Sequence, residues 1–149
     1  MKKYLIAAIT LILIISVTGC QKEDQEVDAN TITKRIMEEV SFKDSLSQIS
    51  EDMVYRIYSI SPDDVEYQEA YVGSGATAEE VAVIKAKDKN GADKIKKAFE
   101  QRVEEQKNSF RNYVPEELEK LEHAIVEQKG TTVILCVTDD LKKAEAIIK

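Results

Sequence analysis

Thr132-Val-Ile-Leu-Cys-Val-Thr138 decides the fold, because five consecutive apolar residues between two threonines are typical of a hydrophobic β-strand. The preceding segment, Gln128-Lys129-Gly130-Thr131, predicts a hairpin turn. Asp139 or Asp140 can then cap a terminal helix. The inward-facing residues of that helix would be Leu141, Ala144, Ile147 and Ile148. This end of the chain therefore predicts a turn, a strand and a helix in succession.

A second strand-rich segment lies upstream. Val65, Tyr67 and Tyr71 alternate with polar or small residues, which is the period-2 pattern of a half-buried strand. Gly73-Ser74-Gly75 ends this strand. Val81 to Lys87 favours another strand, although Thr77 to Glu80 fits a helical capping box and leaves a helix open as the alternative.

Amphipathic patterns predict helices elsewhere. Asn30 can cap a helix that begins at Thr31. Ser50 can cap a second helix, whose buried residues would be Met53, Val54 and Ile57. The longest helix follows the turn at 88–91, and its apolar stripe comprises Ala92, Ile95, Phe99, Val103, Phe110 and Tyr113. Pro115 fits the first position of another helix, with Leu118, Leu121 and Ile125 on its buried side.

The two strand-then-helix segments resemble each other. Val81–Asp88 followed by a helix matches Thr132–Asp139 followed by a helix at an offset of 51 residues. A duplication into two strand–strand–helix halves is one interpretation, and similar composition without common origin is the other. We expect a single α+β domain over residues 31–149, with about four antiparallel strands and helices packed on one face of the sheet.

The N-terminus has the features of a secretory leader. A basic start, Met1 to Tyr4, precedes an apolar run from Leu5 to Val17. Thirteen helical residues span about 20 Å, which is shorter than the roughly 30 Å of a bilayer core. The run ends at Val17-Thr18-Gly19-Cys20, which resembles the lipobox of bacterial lipoproteins.

That resemblance implies that residues 1–19 are a signal peptide, cut between Gly19 and Cys20, and that the Cys20 thiol carries diacylglycerol. The acyl chains would hold the protein at the outer, extracytoplasmic face of the cell membrane. An uncut signal anchor is the alternative. Residues 20–30 carry four carboxylates and almost no large apolar side chain, so we expect a disordered acidic tether.

Charge excludes one class of partner. The 149 residues have a net charge of −7, and without residues 1–19 the balance becomes 19 basic against 28 acidic side chains. Nucleic-acid binding depends on Lys and Arg contacts to phosphate, so a nucleic-acid partner is not expected.

Few residues suggest chemistry. The loop residues Gly73, Ser74, Gly75 and Thr77 form the one candidate anion site, although a tight strand-end loop explains them as well. His123 is the only histidine, and we interpret it as a surface residue. Cys136 lies within the hydrophobic strand, where an inert core residue is expected. The segment 88–93 lacks the spacing of a calcium loop, so it is interpreted as a turn.

The acidic pairs are interpreted as structural. They fall at turns or helix starts, where capping and the helix dipole favour carboxylates. These pairs are Asp63/Asp64, Glu79/Glu80, Glu116/Glu117 and Asp139/Asp140. No catalytic residue, metal ligand or cofactor is therefore predicted.

The order of several elements resembles a family of small lipoproteins from Gram-positive bacteria, catalogued as domain of unknown function four-three-five-eight. The resemblance rests on 73–76, 79–87, Tyr113-Val-Pro-Glu-Glu117 and the strand after Gly130. It implies a membrane-anchored extracytoplasmic domain without assigned activity. We expect a non-enzymatic module that binds a protein or other partner at the cell envelope. The alternatives are an envelope hydrolase that uses carboxylates and a ligand-binding component of an envelope complex.

Overall fold

The computed structural model describes residues 26–149. One antiparallel sheet with helices confirms the predicted α+β class. The helices are α1 (Ala29–Glu39), α2 (Glu51–Tyr58), α3 (Lys89–Phe110), α4 (Leu118–Glu122) and α5 (Leu141–Ile148). The strands are β1 (Ser47–Gln48), β2 (Val65–Val72), β3 (Glu80–Ala86), β4 (Ile125–Lys129) and β5 (Thr132–Val137), in the spatial order β1-β2-β3-β5-β4. Short 3-10 turns at Pro62–Asp64 and Pro115–Glu117 complete the elements.

The central strands β3 and β5 are apolar on both faces. They pair in antiparallel register, with Val83 opposite Ile134, and every residue of β5 is buried. Successive side chains of a strand point to opposite faces, so such a pair needs cover on both sides. The sheet accordingly has five strands instead of about four, and its helices lie on both faces instead of on one.

Each face of the sheet has its own core. On one side α2, α3 and α4 pack against a group that comprises Ala82, Ile84, Val133 and Leu135. On the other side α1 and α5 pack against Val81, Val83, Ile134 and Cys136. The strand–strand–helix order does occur twice, in β2-β3-α3 and β4-β5-α5, but the two helices cover opposite faces. The repeated chain order is therefore not a repeated three-dimensional unit.

Several local predictions are confirmed and others are corrected. Residues 80–86 form a strand, which settles the choice between strand and helix at 81–87. Helix α2 follows Ser50 as predicted, but Val54 and Tyr58 are buried in it while Met53 is exposed. The helix after Pro115 is short, and Ile125 begins a strand instead of belonging to that helix.

The start of the folded domain lies earlier than predicted. Asp28, not Asn30, caps α1 by accepting a 2.8 Å hydrogen bond from the backbone N–H of Thr31. The carboxylate of Glu26 accepts hydrogen bonds from Thr131 and Thr132. Residues 26–30 therefore belong to the fold and not to a disordered tether.

The predicted signal peptide, the Gly19–Cys20 cleavage site and residues 21–25 of the predicted tether lie outside the described residues. Within residues 26–149, none of the helices has the length and apolarity needed to cross a membrane.

Candidate functional site

A pocket of about 390 Å³ opens at one end of the sheet. The loop 73–77, which joins β2 to β3, forms one wall, and the C-terminal half of α3 forms the other. Ile57 and Val72 contribute apolar lining, and Tyr113 stands at the rim. The predicted loop residues Gly73, Ser74, Gly75 and Thr77 all line this pocket.

The loop already holds an anion that belongs to the same chain. Asp44 Oδ2 accepts hydrogen bonds from the backbone N and the hydroxyl of Ser74, both at 2.7 Å, and lies 3.4 Å from Thr77 Oγ1. The Ser74 hydroxyl and N–H together lower the pKa of Asp44. A Cβ atom at Gly73 would lie 2.7 Å from Asp44 Oδ2, so this approach requires glycine. The N–H and hydroxyl groups of this loop therefore bind a carboxylate of the same chain.

A buried ion pair forms the floor of the pocket. Arg102 Nη2 lies 2.9 Å from Glu80 Oε2, and the Tyr58 hydroxyl donates to Glu80 Oε1 at 2.7 Å. Gln106 Nε2 adds a contact of 3.3 Å to Oε2. Burial alone would lower the pKa of Arg102, but the hydrogen bonds and charge of Glu80 outweigh it and raise that pKa. Both oxygens of Glu80 are thus held by donors.

The neighbouring glutamate is buried as well and binds a different segment. Glu79 accepts hydrogen bonds from the backbone N–H groups of Lys43 and Asp44, at 3.0 and 2.8 Å. Its side chain is fully enclosed, and the Lys120 ammonium lies 3.5 Å from Oε1. Glu79 thereby fixes residues 43 and 44 beside the loop and places Asp44 where the loop can bind it.

Lys120 lies among three carboxylates at the edge of this site. Its Nζ lies 2.9 Å from Glu117 Oε2 and 3.5 Å from both Glu79 and Asp139. The contact to Glu117 is an ion pair without hydrogen-bond geometry. Burial would lower the pKa of Lys120, but the contact with Glu117 and the charges of Glu79, Glu117 and Asp139 raise it. Lys43, at 2.5 Å, contributes most to lowering the pKa of Asp139, and Lys120 adds to that effect.

These contacts correct the interpretation of the acidic pairs. Glu79, Glu80 and Glu117 are buried and ion-paired instead of capping helices. Sequence reasoning also missed Arg102 and Lys120 as parts of the site. One signal was available, because Glu79 and Glu80 directly precede the apolar run Val81–Ile84, where burial is expected.

The rim of the pocket is aromatic. Tyr113 was predicted on the apolar stripe of α3, but it lies in the turn after that helix and is 69% exposed. Its ring centroid lies 6.2 Å from that of the buried Phe110. Tyrosine is enriched at contact surfaces, where its ring is apolar and its hydroxyl is polar. Tyr113 therefore borders the pocket and does not fill the core.

The remaining predicted residues lie elsewhere. His123 is exposed at the end of α4. Cys136 is buried in β5, and burial, together with the charge of Glu79, raises the pKa of its thiol to about 12. Among residues 26–149, no group of three His, Cys, Asp or Glu side chains is placed to hold a metal ion.

A family model matches residues 38–138 of this chain. The matched range contains the loop 73–77, both buried glutamates, Arg102 and Lys120, which are the parts from which the pocket is built. No curated protein and no solved structure matches the chain. Because the match covers more than half of the sequence, the protein belongs to the family described as Domain of unknown function (DUF4358).

Proposed function

We propose that this protein is a lipid-anchored binding module at the outer face of the cytoplasmic membrane, and that it binds an envelope partner through the pocket beside Tyr113. The basic start, the apolar run and the lipobox-like Val17–Cys20 support the anchor. Two or more long acyl chains on Cys20 would make the attachment nearly permanent, since each buried methylene contributes about 0.8 kcal/mol.

One observation carries the binding proposal: an exposed tyrosine borders a pocket whose polar groups are already held in place. Glu80 is fixed by Arg102 and Tyr58, and Asp44 is fixed by the loop at Ser74. A site whose side chains are ordered before binding loses less conformational entropy when a partner docks. Apolar lining with a few oriented polar groups is the usual composition of a ligand pocket.

The hydrolase alternative has one feature in its favour, because Glu79 and Glu80 both line the pocket. General acid–base catalysis needs a carboxyl group that can exchange a proton with the substrate. Both oxygens of Glu80 accept hydrogen bonds from protein donors, and those of Glu79 bind Lys43 and Asp44. This arrangement favours binding over hydrolysis.

The anchor is tested with two matched cysteine variants. Cys20→Ala should abolish incorporation of a labelled fatty acid and leave the signal peptide uncut, while Cys136→Ala should be acylated and processed like the wild type. The mass of the mature protein and its label report both steps. Normal acylation of the Cys20→Ala chain would refute the lipobox proposal.

The binding site is tested with a photo-crosslinking amino acid in living cells. Placed at Tyr113, it should give a discrete adduct, whereas placed at the exposed Asn90 near the start of α3 it should not. The adduct should disappear when Arg102→Met disturbs the pocket floor. Turnover of an envelope polymer by the pure protein, lost in Glu80→Gln, would instead establish the hydrolase.

A further inference from the structure

Glu26 binds the N-terminal segment to the turn between β4 and β5. Its Oε2 accepts a 2.8 Å hydrogen bond from Thr131 N, and its Oε1 lies 3.0 Å from Thr131 Oγ1 and 3.2 Å from Thr132 Oγ1. Gly130 has φ +59°, and a Cβ atom there would collide with the Glu26 carboxylate. The β4–β5 turn thus binds the Glu26 side chain closely, through hydrogen bonds and the space left by Gly130.

The chain between the proposed lipid attachment at Cys20 and Glu26 is short. Six residue steps separate Cys20 from Glu26. At no more than about 3.6 Å per residue, they reach about 20 Å in any conformation. A lipid on Cys20 would therefore keep the β4–β5 turn near the bilayer surface.

The pocket lies at the opposite end of the sheet. Thr132 faces Lys85 in the β3–β5 register, and Val137 faces Glu80. The five residue steps from Lys85 to Glu80 span about 17 Å along the strand. Helix α3 also extends from the β4–β5 turn toward the pocket. Its Lys94 binds Asp64 near the turn, and its Arg102 binds Glu80 at the pocket.

The charges of α3 run against its own helix dipole. A helix dipole favours carboxylates at the N-terminus and cations at the C-terminus. Here the first half, Lys89–Phe99, contains four lysines and one aspartate, and the second half, Glu100–Phe110, contains three glutamates, one arginine and one lysine. Lysines near an anionic bilayer are attracted to it, and carboxylates are repelled. The distribution thus favours the start of α3 toward lipid and its end away from it.

We propose that the Glu26–turn contact fixes the orientation of the domain on the membrane, with the β4–β5 turn and the start of α3 toward lipid headgroups and the pocket beside Tyr113 facing away. This inference rests on the proposed lipid anchor at Cys20. Its consequence is that the pocket opens toward a partner outside the bilayer.

Two exposed asparagines on α3 provide a matched pair of probe sites. Asn90 and Asn108 are separated by about 27 Å of helix. Each is changed singly to cysteine in the full acylated chain with Cys136→Ala, and labelled with the same fluorophore. The protein is bound to anionic vesicles that contain a headgroup-attached quencher. We expect quenching several-fold stronger for Asn90→Cys than for Asn108→Cys.

The role of Glu26 is tested by the same comparison of quenching at Asn90→Cys and Asn108→Cys. Glu26→Ala should bring the two quenching values together, whereas Glu23→Ala, which removes an equal charge three residues earlier, should leave them apart. Equal or reversed quenching in the acylated, vesicle-bound chain overturns the orientation alone. Unchanged contrast in Glu26→Ala overturns the contact as its cause. If the mass of the preparation shows no acyl group on Cys20, the anchor and the orientation are both wrong.

Discussion

Arg102 binds Glu80 through two nitrogen atoms, with Nη2 at 2.9 Å from Oε2 and Nε at 3.2 Å from each carboxylate oxygen. The carboxylate is almost wholly buried, whereas the guanidinium is partly exposed in the pocket. A buried pair of this kind stabilises little in comparison with apolar residues, but the loss of one partner leaves an uncompensated charge. Arg102 therefore has a structural role as well as a place in the proposed binding site.

Arg102→Met is expected to lower the free energy of unfolding by about 3–5 kcal/mol, because Glu80 is left buried without a cation. Urea denaturation measures the change. Lys107→Met is the control, since Lys107 forms a pair with the exposed Glu104 and should cost less than about 1 kcal/mol. Glu80→Gln combined with Arg102→Met should lose less than the sum of the single changes. Additive losses would mean that the two side chains are not coupled.

Lys120→Met should destabilise the fold by about 3 kcal/mol or more at neutral pH, because three carboxylates lose their shared cation. The folded state raises the pKa of Lys120, so its stabilising effect is complete below the unfolded value of about 10.4. That effect is lost as the pH rises through the folded pKa. The difference between wild type and variant, measured by urea titration, should therefore narrow above about pH 10. A constant difference would contradict the ion-pair explanation.

Asp44→Asn should change how stability depends on acid. The loop lowers the pKa of Asp44, so its contribution is present above the unfolded value of about 3.9 and is lost as the pH falls through the folded pKa. The difference in the free energy of unfolding between wild type and Asp44→Asn should be largest near neutral pH. It should shrink as the pH falls below about 3.9. Asp63→Asn is the matched charge control, because it removes the same charge from a carboxylate that accepts no hydrogen bond within residues 26–149. Thermal unfolding at a series of pH values measures both.

Cys136 should be inert toward thiol reagents while the protein is folded. Burial raises the pKa of this thiol to about 12, and the strand gives a reagent no access. At pH 8 its reaction with a disulfide reagent should be at least about a hundredfold slower than that of a thiol with an ordinary pKa of about 8.5. Asn108→Cys supplies an exposed comparison in the same protein. Equally fast labelling of Cys136 before unfolding would show that β5 opens readily.

Much of the fold follows from local patterns. The strand at 132–138, the strand at 65–71 and the long helix after the turn at 88–91 were all predicted, because their apolar residues have a regular period. The second helical layer, formed by α1 and α5, was not predicted. A wholly apolar strand shows that both of its faces are buried, but its sequence does not say which helix covers which face.

The site was predicted only in part. The Gly73–Thr77 loop was identified because glycine and small polar residues suggest converging N–H groups, but its occupant, Asp44, lies about 30 residues earlier in the chain. Glu80 and Arg102 are likewise distant in sequence, and nothing in either neighbourhood identifies the other as a partner. Pairing between distant residues depends on the tertiary fold, which local spacing does not encode.

The contact between α1 and α5 affects how this protein can fold during its synthesis. These helices come from opposite ends of the described chain and lie side by side, joined by Lys143 and Glu39 at 2.9 Å. The central pairing of β3 with β5 also joins residues about fifty positions apart, and such long-range contacts form slowly. The β2–β3 and β4–β5 hairpins can form early, and α1 can cover part of the apolar face that it shares with α5. The part of that face that α5 covers stays exposed until the last helix is available. Aggregation is thus a hazard for this domain mainly before residues 141–148 have emerged, and deletion of that helix should be far more harmful than any single surface substitution.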